Sequence, residues 1–160
     1  WAGSHLGVTF SPDNKFLVTA MHEPALHGWR LADGRHMRMT GYPARVRSLS
    51  WSANGKMLAT SGADTVIVWP FASKDGPMGK EPGMLAPLQA RVTTVACHPK
   101  EDILAAGYSN GTVLLVRMTD GAEILVRKND DAAVTALGWS ADGGLLAFAA
   151  GEGMAGLLAL

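Results

Sequence analysis

The stretch WSANGKMLATSGADTVIVW, residues 51–69, decides the fold. It opens on an aromatic, turns through Ser52-Ala53-Asn54-Gly55, runs apolar over Met57–Ser61, turns again at Asp64 and runs apolar to Trp69. Asn and Gly tolerate left-handed backbone, so Asn54-Gly55 marks a tight hairpin. The phrase recurs along the chain. Superposing on Phe10, Trp51, Cys97 and Trp139 aligns four segments whose anchors lie 41, 46 and 42 residues apart. At a fixed distance beyond the anchors stand Glu23, Asp64, Asn110 and Glu152. Self-similarity at such a period means blades, solenoids or arrays.

Each segment reads as four strands, the last segment lacking its fourth. First strands are expected at His5–Phe10, Val46–Trp51, Val92–Cys97 and Val134–Trp139. Apolar residues fall five before the anchor, two before it and at it, as in Val92, Val95 and Cys97, which suits a strand with one covered face. Second strands follow at Phe16–Met21, Met57–Ser61, Ile103–Gly107 and Leu145–Ala149. Third strands follow at Ala25–Leu31, Thr65–Phe71, Thr112–Met118 and Ala155–Leu160, and fourth strands near His36–Thr40 and Ala122–Arg127. The blades divide at about 1–42, 43–88, 89–131 and 132–160. The connection from Ala72 to about Gly83, rich in Gly, Pro, Lys and Asp, reads as an exposed, mobile loop.

These features resemble the WD40-repeat family of β-propellers, and the resemblance covers essentially the whole chain. The family's first strand ends in a phrase like Phe10-Ser11-Pro12-Asp13-Asn14, and its third strand ends near Trp, here Trp29 and Trp69. Val116 and Leu158 hold that position later. Strong blades of the family carry a hydrogen-bonded tetrad of Asp, His, Ser or Thr, and Trp. The second segment offers Asp64, Thr60 and Trp69, with Tyr42 where the family has His; the first offers Glu23, Thr19 and Trp29, with Trp1 near the His position. Leu88 and Asp130 stand there in the last two. No segment completes the tetrad as the family writes it, which resembles the divergent repeats common in bacteria.

A propeller must close, and Ala155–Leu160 is an apolar edge of the kind soluble proteins avoid. The leading expectation is the C-terminal half of a longer propeller. The second is a homodimer closing an eight-bladed ring, and the third is four blades standing alone. Charge suits the second: residues 1–100 carry 11 basic and 6 acidic side chains, residues 101–160 carry 3 and 8, and the whole is neutral.

Composition excludes several classes. No run of about 18 apolar residues occurs, so no helical membrane span is implied. The single cysteine, Cys97, sits in an apolar alternation and reads as a small buried hydrophobe, which with the lack of a secretory signal ahead of the first repeat leads to an expected cytoplasmic location. His5, His22, His27, His36 and His98 show no zinc spacing, and no phosphate-binding glycine loop appears, so no catalytic residue, metal or cofactor is assigned.

The resemblance implies a non-catalytic scaffold that binds another protein through rim loops. Its surface would carry Glu23, Tyr42, Arg45, Asp64, Asn110 and Glu152, with Lys74 and Lys80 on the opposite side. Two alternatives stand beside it. One is a metal- or ligand-binding propeller, or an enzyme with a central-channel site, which needs inward His, Asp or Glu from several blades. The other is a nucleic-acid surface around Arg30, Arg35, Arg38, Arg45 and Arg47, with Tyr42 as a stacking partner.

Overall fold

The computed structural model describes residues 3–160, so Trp1 lies outside the described residues. The strands are β1 (His5–Phe10), β2 (Phe16–Met21), β3 (Leu26–Arg30), β4 (His36–Met39), β5 (Leu49–Trp51), β6 (Met57–Thr60), β7 (Val66–Pro70) and β8 (Gly83–Leu85). They continue as β9 (Val92–Cys97), β10 (Ile103–Tyr108), β11 (Val113–Arg117), β12 (Glu123–Arg127), β13 (Val134–Trp139), β14 (Leu145–Ala150) and β15 (Ala155–Ala159). Every sheet is an antiparallel meander: β1-β2-β3-β4, β5-β6-β7-β8, β9-β10-β11-β12 and the three-stranded β13-β14-β15. The architecture is that of β-propeller blades.

The repeat is a repeat of register. Phe10 faces Leu17, Trp51 faces Leu58, Cys97 faces Leu104 and Trp139 faces Leu146 across the first hairpin of each sheet. The turns that set this register share one device. The Ser11 hydroxyl donates to Asp13 at 2.7 Å and accepts from the Phe16 N–H at 2.9 Å. Ser52 does the same with Asn54 and Met57, and Ser140 with Asp142 and Leu145. The hydroxyl closes backbone donors that the hairpin would leave open, and Asp13 as acceptor has its carboxyl held down to about 2, chiefly by Ser11. In the third sheet His98 replaces serine. Its Nδ1 accepts from the Lys100 and Glu101 N–H groups, and Nε2 lies 3.1 Å from the Gly143 carbonyl of the next sheet, to which it donates.

The core lies between sheets. Leu58, Ile67 and Trp69 face the first sheet and pack with Phe16, Val18, Leu26 and Met37. Their neighbours Ala59, Val66 and Val68 face the other way, onto Val92, Val95, Leu104 and Val116. Successive strand residues point to opposite faces, so a strand covered on both sides is apolar throughout, which is why β7 and β11 read as unbroken apolar runs. Leu146, Trp139 and Leu158 join Ala105 and Leu115 in the third layer. Residues at the anchor, two before it and five before it point toward the preceding sheet. In the first sheet that face is bare: Val8 is 66% exposed and Phe10 56%. The last sheet is bare on its other side, where Leu157 is 71% exposed.

The structure differs from the sequence expectation in two places. The first strand of the second sheet is regular only from Leu49, because the Arg47 and Ser48 N–H groups donate to the Ser61 hydroxyl in place of a ladder carbonyl. The connection after β7 is only partly exposed. Arg30 donates to Asp75 at 2.5 Å and to the Lys74 carbonyl, and Gly76 and Pro77 are buried, with Gly76 against Phe16 and Phe71. Its first half is therefore anchored on the neighbouring sheet; Met78–Glu81 remain exposed.

Gly143 combines φ +83° with no room for a side chain, since a Cβ there would meet the His98 ring. Gly143→Ala is expected to cost about 2–4 kcal/mol in urea unfolding, with part of the loss recovered in the double variant with His98→Ala.

Candidate functional site

Meander topology separates the loops into two sets. Second-to-third strand loops, and the connections between sheets, lie at one end of the blades; first-to-second and third-to-fourth turns lie at the other. Glu23, Asp64, Asn110 and Glu152 fall in the four equivalent loops at the first end. Arg45 joins them from the connection before β5, where its Nε donates to the His22 carbonyl at 3.1 Å. Lys74 and Lys80 are exposed at the opposite end.

The loops are held by their backbones. The Asp64 carbonyl accepts from the Leu88 N–H at 2.9 Å. The Asn110 side chain accepts from Thr112, and its carbonyl accepts from Asp130 and Asp131. Glu152 sits in a single 3-10 turn, Gly151–Gly153, at φ 60°, a left-handed conformation for a residue other than glycine. Side chains at this end therefore stand on short, pinned loops. Asp64 and Glu152 are exposed; Glu23 and Asn110 are half-buried.

Tyr42 is a correction. It is 6% exposed and is not presented to solvent. Its hydroxyl accepts from the Trp69 Nε1–H at 2.6 Å and lies 2.8 Å from the Thr60 hydroxyl, which donates in turn to the Ile67 carbonyl. Tyrosine thus bridges Trp and Thr as the tetrad histidine would. Burial pushes its phenol up to about 12. In the first sheet the partner of Thr19 is His5, at 2.8 Å, and the Thr19 hydroxyl donates to the His27 carbonyl. His27 stacks on Trp29 with centroids 4.3 Å apart, and burial lowers its pKa. Both networks lock the second strand to the third beneath the rim.

Cys97 is half-buried, and burial pushes its thiol up to about 11, far from a reactive thiolate. Its N–H donates to the Ser50 hydroxyl of the preceding sheet at 2.8 Å. Among the described residues, no three His, Cys, Asp or Glu side chains gather as metal ligands, and no helix is long and apolar enough to cross a membrane.

The arginines divide. Arg30 pairs with Asp33 and Asp75, and Arg35 lies 3.8 Å from Asp75, at the end away from the rim. Arg45 and Arg47 remain at the rim and line one cleft with Arg91, Ser61, Thr93 and Ser109. Sequence reasoning passed over Arg91. The signal was there, since Arg45 and Arg91 occupy the same place, just before Val46 and Val92, in aligned repeats.

Comparison with known proteins agrees with this architecture. The family "WD domain, G-beta repeat" matches residues 35–69, and the family "Anaphase-promoting complex subunit 4 WD40 domain" matches residues 95–160. The chain belongs to the WD40-repeat β-propellers. Among curated proteins it is similar to the ribosome biogenesis protein BOP1 homolog of Dictyostelium discoideum, 35% identical over 82 residues, which are 49% of this chain and 9% of that protein. Among solved structures it is similar to the Cps50 (Swd1) β-propeller domain of Myceliophteria thermophila. The TM-score there is 0.78 at 21% identity, over 99% of this chain and 52% of that one. The chain therefore spans about half the length of its structural neighbour and a small part of its curated relative.

Tyr42→Phe is expected to cost about 1–2 kcal/mol, because the Trp69 N–H loses its acceptor in a buried site. The pH dependence has a definite sign. The folded phenol holds its proton to about 12 while the unfolded one releases it near 10, so wild-type stability declines as pH rises past 10. Unfolding midpoints of Tyr42→Phe should lack that component of the decline.

Proposed function

We propose that this chain is part of a non-catalytic scaffold that holds another protein against the rim carrying Glu23, Arg45, Asp64, Asn110 and Glu152. The observation that carries the reading is the pinning of equivalent loops at one end of rigid sheets. Side chains ordered before binding lose little entropy when a partner docks, so a modest surface can still bind well. Similarity to WD40 families that include a subunit of a large complex supports a protein partner. The test is co-purification from native cells with charge-reversed rims. Asp64→Lys with Glu152→Lys is expected to release the bound protein, and Lys74→Glu with Lys80→Glu to retain it. The opposite pattern would move the surface to the other end.

A second reading concerns the bare sheet faces. The last sheet exposes Ala136, Gly138, Ala147, Phe148, Ala155 and Leu157 on one side, and the first exposes Val8 and Phe10. Equivalent faces between the other sheets are the hydrophobic core. We infer that further blades cover both, supplied by the same polypeptide or by a second copy. Light scattering of the native protein separates the two. A dimer whose mass falls with added salt is expected of two copies with opposed charge, and a salt-independent monomer of a single longer chain.

A further inference from the structure

We propose that the cleft between the second and third blades is an oxyanion-recognition site for an extended peptide segment bearing carboxylates or phosphates. The proposal rests on the scaffold reading and names the chemistry of its partner. The cleft, about 510 Å³, is lined by Ala44, Arg45, Arg47, Ser61, Arg91 and Ser109, with Val92 and Thr93 at its base. Its charged lining is entirely cationic. Among the described residues the ion pairs use Lys15, Arg30, Arg35, Arg117 and Arg127, and none involves Arg45, Arg47 or Arg91. Elsewhere the fold neutralises its arginines with nearby aspartates, as Arg30 with Asp33 and Arg117 with Asp120. Arg45 is steadied by His22, its Nε donating to the His22 carbonyl at 3.1 Å, while Arg47 and Arg91 line the cleft with no carboxylate paired to them. Cationic side chains gathered without a carboxylate are a standing field for an anion, and the planar fork of arginine matches carboxylate or phosphate oxygens in pairs.

The hydroxyls add to this. Ser61 accepts from the Arg47 and Ser48 N–H groups, and Ser109 accepts from the Arg91 N–H. Their oxygens are thus fixed by the backbone of the arginines themselves, which leaves each hydroxyl hydrogen to donate. Thr93 is different; it spends its hydroxyl on the Gly107 and Val134 carbonyls and ties the third blade to the fourth. The walls are held by strands β6, β9 and β10, so the site is largely formed before any ligand arrives.

Shape favours a peptide over a free anion or a nucleic acid. Arg45 and Arg47 also border an adjoining cleft of about 460 Å³ against β1, lined by Leu6, Ala20 and Leu49. The arginines therefore stand between two linked depressions, one polar and one partly apolar, a course suited to a segment with acidic and apolar residues. A nucleic-acid strand would want aromatic faces for its bases. Tyr42, the aromatic closest in sequence, is buried and engaged with Trp69 and Thr60.

The experiment uses the full-length native protein and fluorescent peptides that alternate Leu with Glu, with phosphoserine or with Gln. Binding is read by anisotropy at two salt concentrations. The Glu or phosphoserine peptide is expected to bind at least about tenfold more tightly than the Gln peptide and to weaken with salt, and the tighter of the two names the anion source. Arg47→Gln and Arg91→Gln should each weaken binding by about five- to tenfold, while Arg30→Gln, at the other end of the blade, leaves it unchanged. These positions are exposed or half-exposed, and circular dichroism of each variant checks the fold. Equal binding of the Gln peptide, wild-type affinity in the double arginine variant, or tighter binding of a single-stranded oligonucleotide of equal charge would each overturn the proposal. Failure here is separable from failure of the scaffold reading. If the acidic peptides do not bind but the rim variants still release a partner, only the cleft assignment falls; if they bind while no partner is released, only the scaffold reading falls.

Discussion

The rest of the structure depends on the stitch between one blade and the next. A four-stranded sheet standing alone would leave two apolar faces in water, so each blade is stable only when sandwiched. The repeat anchors make the seam directional. The Trp51 Nε1–H donates to Thr9 of the preceding sheet, the Cys97 N–H to Ser50, and the Trp139 Nε1–H to the Ala96 carbonyl. Dispersion and apolar burial are non-directional and would tolerate slippage between faces. These polar contacts are directional and set how adjacent sheets align. They also explain why Cys97 can stand where the other repeats have aromatics: its backbone carries the contact that an indole carries elsewhere, and Trp139 packs edge-on against His98 beside it.

That seam positions the rim. Because adjacent blades are held in one relation, loops distant in sequence meet, and Arg91 comes to share a cleft with Arg45 and Arg47. The tetrad variants act beneath this surface. Tyr42 spans from the connection before β5 to Thr60 and Trp69 and keeps the polypeptide that carries Arg45 and Arg47 close to its sheet. A longer phenol in place of an imidazole is workable because its one hydroxyl accepts from the Trp69 N–H and donates to the Thr60 oxygen, whose own hydrogen goes to the Ile67 carbonyl. The chemistry of the rim is therefore built on an apolar, inert platform, in which the thiol and the phenol are kept neutral by burial.

Much of the fold could be read from residues 51–69 and their recurrences. Aligned turns such as Ser52-Asn54 and Ser140-Asp142 carry their own hydrogen-bonding logic, and they locate the hairpins to within a residue. The regular start of β5 could not be read, because Ser61, remote in sequence, captures the N–H groups of Arg47 and Ser48. The anchoring of the loop after β7 was equally hidden, since it rests on Arg30 reaching Asp75 from another sheet. At the site, the equivalence of Glu23, Asp64, Asn110 and Glu152 was visible as a spacing. The burial of Tyr42 and the sorting of the arginines into paired and unpaired sets were not.

The sequence by itself determined the blade: its strand order, turn chemistry and alternating faces follow from local patterns within about 40 residues, where backbone preference and side-chain period act directly. Only the tertiary structure decided which charges are neutralised and which remain at the rim. Ion pairing and burial depend on distances between blades, and those distances are set by the packing of whole faces, which no single repeat encodes.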